Sequence, residues 1–378
     1  LADLTVLYPG VTVTDVSTPT STVTPYGVCY MLIGGITGID KTLTEIVSVD
    51  SFDTLFPTTH PSKKYVKAFF DNLTNTSVRL FVYKVNVTTT PAVKADYIAA
   101  FSAINPLANP GGLIIAPEAF EVFTTAADRV EIVTAMDTFC SLTADSYWQG
   151  IADLKISLTT IELAITDLAN YASARGNISV YAPAYVNDSD QDMEPSAAMA
   201  AISLSIWANG AYYEAPAGHK YPIQGLKSLK YQTVRGKYSL AHAANINLIR
   251  YFNGIGYVPY DCMTLSTTPE FKQIPSVICF KIVAYMLASE LQKLVFSSLK
   301  GTGDLVAVAE ATINRILFSA WQSGLLVGTT AEDAYDIAAL TPSLPDPLNA
   351  TLAYSVGIRP AYSVIKYRIH LRNLLSVA

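Results

Sequence analysis

The sequence predicts a mixed α/β fold: a central, largely parallel sheet flanked by helices, then a C-terminal α+β part, with an extended strand arm at each end. Three observations carry this. Short, almost wholly apolar segments such as 28–34 and 112–116 alternate with longer segments of helical periodicity, the spacing of strands buried on both faces. After Gly210 the texture changes to turn-rich stretches with short strands and two long helices. The ends differ from both, since residues 1–24 are Thr, Val, Ser and Pro with hardly any charge. Residues 366–372 alternate strictly, with Tyr367, Ile369 and Leu371 on one face and Lys366, Arg368, His370 and Arg372 on the other.

In chain order, Val11, Thr12, Val13 and Thr14 alternate briefly after the Pro9-Gly10 turn, inside an arm too poor in large apolar residues to fold alone. The spacing predicts strands at 28–34 and 78–85, with helices at 51–56 and 62–73 between them. A Thr/Pro-rich connection follows at 86–95, then a helix at 95–103, a strand at 112–116, a helix at 124–142 and a strand at 148–151. Leu154, Leu158, Ile161, Ile165 and Leu168 step by four and three, which predicts a helix ending near Gly176. A strand at 179–182 precedes a helix opened by Pro195, a residue suited to the first helical position. In the second half, Phe280, Ala284, Leu287, Ala288, Leu291 and Leu294 make one apolar stripe. A second helix, capped by Thr302 or Asp304, presents Ile313, Ile316, Leu317, Ala320 and Trp321 and ends at Gly324. Strands at 351–358 and 362–372 close the chain. The expected division is an arm at 1–24, an α/β part at 25–210, an α+β part at 211–359 and an arm at 360–378.

Composition narrows the class. Charged residues are 15% and apolar residues 51%, with a mean hydropathy of +0.30, a surface too apolar for an ordinary monomeric enzyme. A membrane protein or an obligate assembly would fit. The stretch 274–294 is interrupted by Pro275, Lys281, Glu290 and Gln292, and no unbroken run reaches the roughly 18–20 residues of a span. An obligate assembly without membrane insertion is therefore expected. A net charge of −6, with no basic block, argues against nucleic acid as a partner. No secretory signal is visible, and Cys29, Cys140, Cys262 and Cys279 lie far apart without CxxC spacing and read as ordinary small core residues.

Candidate chemistry reads as bland. His60, His219, His242 and His370 lack metal-ligand spacing, and no nucleophile elbow is present, so neither a metal nor a catalytic residue is expected. Gly34, Gly35 and Gly38 follow a strand but lack the order of a phosphate-binding turn, so no cofactor is expected either. Asp188, Asp190, Asp192 and Glu194 read as a solvated acidic loop before a helix, with a hard-cation site as the alternative.

The order of several motifs resembles the contractile tail sheath family. Residues 8–16 and 28–38 are similar to its "PGVYVEEV … FVG-x-x-x-G" opening, and 51–56 with 68–85 to its "F-x-x-x-F-G … vyVvRV" run. Residues 210–225 resemble "GvwkAPAG", 244–265 resemble "LN-x-x-gIN … GaRTl", and 321–335 resemble "lw-x-x-GaL-x-G … eAf". Residues 258–265 depart by lacking the Arg-Thr pair, and the domain many sheaths insert after the "vyVvRV" strand is reduced to about 86–95, giving a minimal core. The resemblance implies a structural subunit that polymerises around an inner tube through strand exchange and contracts, with baseplate and tail-terminator proteins as further partners. It also implies a place in a virion tail assembled in the host cytoplasm. Strand donation suits Val11 to Thr14 and Lys366 to Arg372 as inter-subunit elements. Lys293 and Lys300 are candidates for contact with the tube, against the plainer reading of cations at a helix C-terminus. The rival classes are an α/β hydrolase-like enzyme with a dispersed site and a non-contractile shell protein.

Overall fold

The computed structural model describes residues 27–34, 41–85, 92–105, 109, 111–141, 146–171, 175–294, 304–339 and 354–362. At its centre lies an eight-stranded sheet in the order β11-β10-β6-β5-β4-β1-β3-β2. Its strands are β1 (Val28–Ile33), β2 (Leu43–Ile46), β3 (Arg79–Lys84), β4 (Gly111–Ile115), β5 (Tyr147–Ala152), β6 (Ile178–Ala182), β10 (Asn247–Phe252) and β11 (Gly256–Pro259). The six inner strands are parallel, while β2 and β11 run antiparallel at the two edges. The sheet runs across position 210, because β10 and β11 extend it beyond β6.

Alternation sorts the strand side chains onto two cores. In β1, Cys29, Met31 and Ile33 join one apolar cluster while Val28, Tyr30 and Leu32 join the other, and all six are fully buried. Helices α1 (Val49–Leu55), α2 (Lys63–Asp71), α7 (Ser196–Trp207), α9 (Ile274–Gln292) and α10 (Asp304–Gln322) contribute to the first core. Helices α3 (Lys94–Ala103), α4 (Pro117–Val122), α5 (Ala126–Phe139), α6 (Ile161–Ala169) and α8 (Tyr238–Ala243) contribute to the second. Every residue of α7 is buried, and its Ala and Ser side chains let it lie between the sheet and α2. Opposite, Trp148 stacks on Tyr30 with ring centroids 4.4 Å apart. That packing needs Gly112, where a β-carbon would collide with the Val28 carbonyl oxygen and reach the Trp148 ring.

Two smaller sheets flank this body. One joins β7 (Tyr185–Asn187), β8 (Asp192–Met193) and β9 (Leu226–Leu229). The other pairs β12 (Tyr335–Ala339), which follows the short helix α11 (Ala331–Ala334), with β13 (Tyr354–Ile358).

Several elements differ in extent from the periodicity. The helix expected from Leu154 begins only at Ile161, where the Thr160 hydroxyl accepts from the Leu163 amide. Before it, side chains intercept the backbone: the Lys155 amide donates to Asp167 Oδ2 at 3.1 Å. Leu154 and Leu158 are core contacts from a loop. Pro195 is the N-cap of α7 rather than its first helical residue. In α9 the buried face is Ile274, Val277, Ile278, Ile282 and Val283, ahead of the expected stripe, whose Phe280, Ala284 and Leu287 are only half-buried. By length and composition α9 would cross a membrane, yet more than half of it is buried within this fold. The stripe expected on α10 is buried at Ile313, Ile316, Leu317 and Ala320, and the helix stops at Gly324, φ +80°.

Candidate inter-subunit surface

Val11, Thr12, Val13, Thr14 and the residues from Lys366 to Arg372 lie outside the described residues, as does Lys300. The points at which the expected arms would leave the body are described. At the first, the Gly27 carbonyl accepts from the Arg79 amide at 2.7 Å, immediately before β1. At the other root, Arg359, Pro360 and Ala361 are tied down as they leave β13. The Arg359 amide donates to the Ala334 carbonyl, the Val327 amide to the Arg359 carbonyl and the Ala361 amide to the Leu325 carbonyl, each at 2.9 Å. Ala361 is buried, and its carbonyl accepts from Ser276 Oγ at 3.3 Å. The next residue, Tyr362, is 56% exposed. The chain thus reaches the surface from a fixed point.

Beside that root lies the β12–β13 pair, in register from Tyr335 opposite Ile358 to Ala339 opposite Tyr354. Tyr354, Val356 and Ile358 are half-buried against the first core, and Ser355 and Gly357 face out. Two strands alone are marginal in water, so the pair depends on this seat. No third strand joins either edge among the described residues. Such edges are templates for strand addition.

Lys293 is the C-cap of α9 and its ammonium reaches Glu290 Oε1 at 2.5 Å, while Arg315 of α10 holds the other oxygen at 3.1 Å. Glu290 and Arg315 also line a cleft of about 190 Å³ between α9 and α10, together with Tyr285, Met286, Ile316 and two serines. Ligand pockets of roughly 300–1,000 Å³ are larger.

Most of the polar groups that converge elsewhere are held by one another or by the backbone. At the C-terminal ends of β1 and β4, where doubly wound sheets bind ligands, buried Glu118 accepts from the Gly34 amide at 3.0 Å and from the Ser62 hydroxyl. His60 lies beside them, with Nε2 2.8 Å from the Gly34 carbonyl and Nδ1 accepting from the Ser62 amide. Both imidazole nitrogens are engaged by backbone, and burial holds the His60 pKa down. His242 meets the buried Asp261 at 3.3 Å, and burial pushes the adjacent Cys262 thiol up to about 12, keeping it protonated. In the acidic loop, Asp190 and Asp192 pair with Lys227 and Lys230, whereas Glu194 is buried. Among the described residues no group of His, Cys, Asp and Glu is arranged to hold a metal ion.

The burial of two titratable groups was not legible in the sequence. Lys281, in the middle of α9, donates to the carbonyls of Cys140, at 3.2 Å, and Trp148, and burial lowers its pKa to about 8. Asp153, just after β5, accepts from the Ser196 amide at 3.1 Å and from the Ser196 hydroxyl at the start of α7. Burial raises its pKa to about 7.

No known family profile matches the sequence, and no curated protein matches it. Solved structures do match. The sheath complex of the extracellular contractile injection system PVC, in its contracted state, aligns with a TM-score of 0.73 at 18% identity, covering 97% of this chain and 98% of that one. A chain of the anti-feeding prophage baseplate aligns at 0.72 and 18% identity, covering 97% and 99%. The sheath tail protein of Listeria innocua aligns at 0.61 and 8% identity, covering 91% and 97%. The fold of this chain is that of contractile tail sheath proteins.

Proposed function

We propose that the chain is a structural subunit of a contractile sheath, in a phage tail or an extracellular injection particle. Subunits polymerise around an inner tube by exchanging strands, and contraction drives the tube through a target envelope. The observation that carries this reading is the end-to-end likeness to the contracted PVC sheath, 97% of this chain against 98% of that one. The role is mechanical rather than enzymatic: a downhill change between two packings needs no bound nucleotide.

In this reading the chain is an arm (1–24), a two-part core (25–210 and 211–359) and a second arm (360–378). Val11, Thr12, Val13 and Thr14 of one neighbour and residues 366–372 of another add strands to a sheet, and the two edges of β12–β13, unpaired among the described residues, suit that addition. Tyr367, Ile369 and Leu371 pack on the recipient's core while Lys366, Arg368, His370 and Arg372 face outward. Lys293 and Lys300 face the tube; baseplate and terminator proteins close the two ends of the array, which is assembled in the host cytoplasm.

Negative-stain microscopy of the purified full-length chain tests this. Tubes or stacked rings are expected, and a monodisperse monomer at high concentration would sink it. Deleting residues 1–20 or 362–378 is expected to leave a soluble body that no longer polymerises; assembly unchanged by both deletions would refute strand exchange.

A further inference from the structure

We infer that the protein binds a single internal water molecule between Glu194 and Tyr231, at the C-terminal ends of β5 and β6. Glu194 precedes α7, and Tyr231 lies just beyond β9, so the two side chains arrive from different elements. Glu194 is 1% exposed and Tyr231 9% exposed. Glu194 Oε1 and the Tyr231 hydroxyl are both buried without a hydrogen-bond partner among the described residues. Both side chains line a cavity of about 10 Å³, together with Lys155, Tyr181 and the apolar Leu154, Leu158, Ala182 and Pro183. That is about the room one water needs, and far too little for an organic ligand.

Three residues on this cavity carry an orphaned polar atom. Tyr181 has Asp261 and Cys262 as its titratable neighbours, whereas Glu194 and Tyr231 neighbour each other and have a simple common solution. A phenol donates to the water oxygen, and the water donates to the carboxyl oxygen, so neither group is stranded in apolar surroundings. The charges around Glu194 favour water over a cation. Burial, then the neighbouring carboxyls of Asp153 and Glu121, push its pKa well above the usual range, against the opposing influence of Lys64 and Arg129. A neutral acid is a poor cation ligand and a good partner for water. The Tyr231 phenol is likewise held protonated, chiefly by burial. The bridge would fasten the segment after β9 to the main sheet without a direct side-chain bond.

The test is a structure of the full-length protein, crystalline or assembled, at a resolution that shows ordered water. A peak within hydrogen-bond distance of both Glu194 Oε1 and Tyr231 Oη is expected. The inference is overturned by an empty cavity between two ordered side chains, by a direct carboxyl–phenol bond, or by a peak at the roughly 2.3–2.6 Å of a bound calcium-like cation. A thermal-melting cycle adds a second readout. Tyr231→Phe and Glu194→Leu should each lower Tm, and the double variant should fall by less than their sum, because each single change already breaks the bridge. Strict additivity would count against a shared water.

Discussion

Asp153 is the residue at which burial has its clearest consequence. Its carboxyl is fully buried, and its pKa is raised from 3.8 to about 7 by desolvation, against the opposing hydrogen bonds from Ser196. The folded state therefore keeps a proton that the unfolded chain releases near pH 4. Between those values the unfolded state binds fewer protons, so stability from this group falls as pH rises, by at most about 1.4 kcal/mol per pH unit, and levels off above 7. Denaturation of the wild type and Asp153→Asn across that window should show a shallower decline in the variant; identical slopes would contradict the assignment. Gly112→Ala should cost about 1–3 kcal/mol, read as a drop in Tm, because a methyl group there strikes the β1 backbone. Neither effect was legible in the sequence. Asp153 reads as one acid among many, and its burial follows from the later arrival of Ser196, 43 residues on. The four cysteines, by contrast, read correctly as small core residues, and all four are buried.

Elements were easier to read where one face alone decides. Helix α10 carries its buried stripe where the spacing put it, since the opposite side of that helix meets solvent at Val308 and Phe318. Leu317→Ala should cost about 2–5 kcal/mol in a denaturant titration, because Leu317 is fully buried in the first core. A change under 1 kcal/mol would mean that the helix is loosely packed. Helix α9 was misread in its first half because it is buried on more than one side, where periodicity carries no phase. The antiparallel edge strand β2 (Leu43, Thr44, Glu45, Ile46) escaped notice because only Ile46 is buried. What marks it in space is a cross-strand pair, Arg79 Nε to Glu45 Oε1 at 2.7 Å, between residues 34 apart. The pairing of β12 with β13 was missed for a related reason. Five residues of β12 follow a one-turn helix with no break in composition, and only the partner strand gives them a register.

For the whole molecule, the two arms make a prediction that no single side chain makes. Hydrogen exchange at residues 366–372 should be fast in the isolated subunit and strongly slowed on assembly, if these residues become a strand in a neighbour's sheet. Equal exchange in both states would exclude donation. The sheath-like fold was legible through motif order, from 8–16 to 321–335, although identity to the solved sheaths is only 18% or less. The exact path of the arms was not, because an alternating strand such as 366–372 states that it has two faces and says nothing of whose sheet it joins. Where the first arm is anchored has a mechanical consequence. Gly27 leads directly into β1, which is flanked by parallel strands on both sides, with six residue pairs to β3 and three to β4. Tension applied there runs along the strand axis and loads those ladders in shear, so the bonds must yield together. An edge strand pulled sideways would instead unzip one bond at a time. A pull on Gly27 therefore meets the resistance of both neighbouring strands at once.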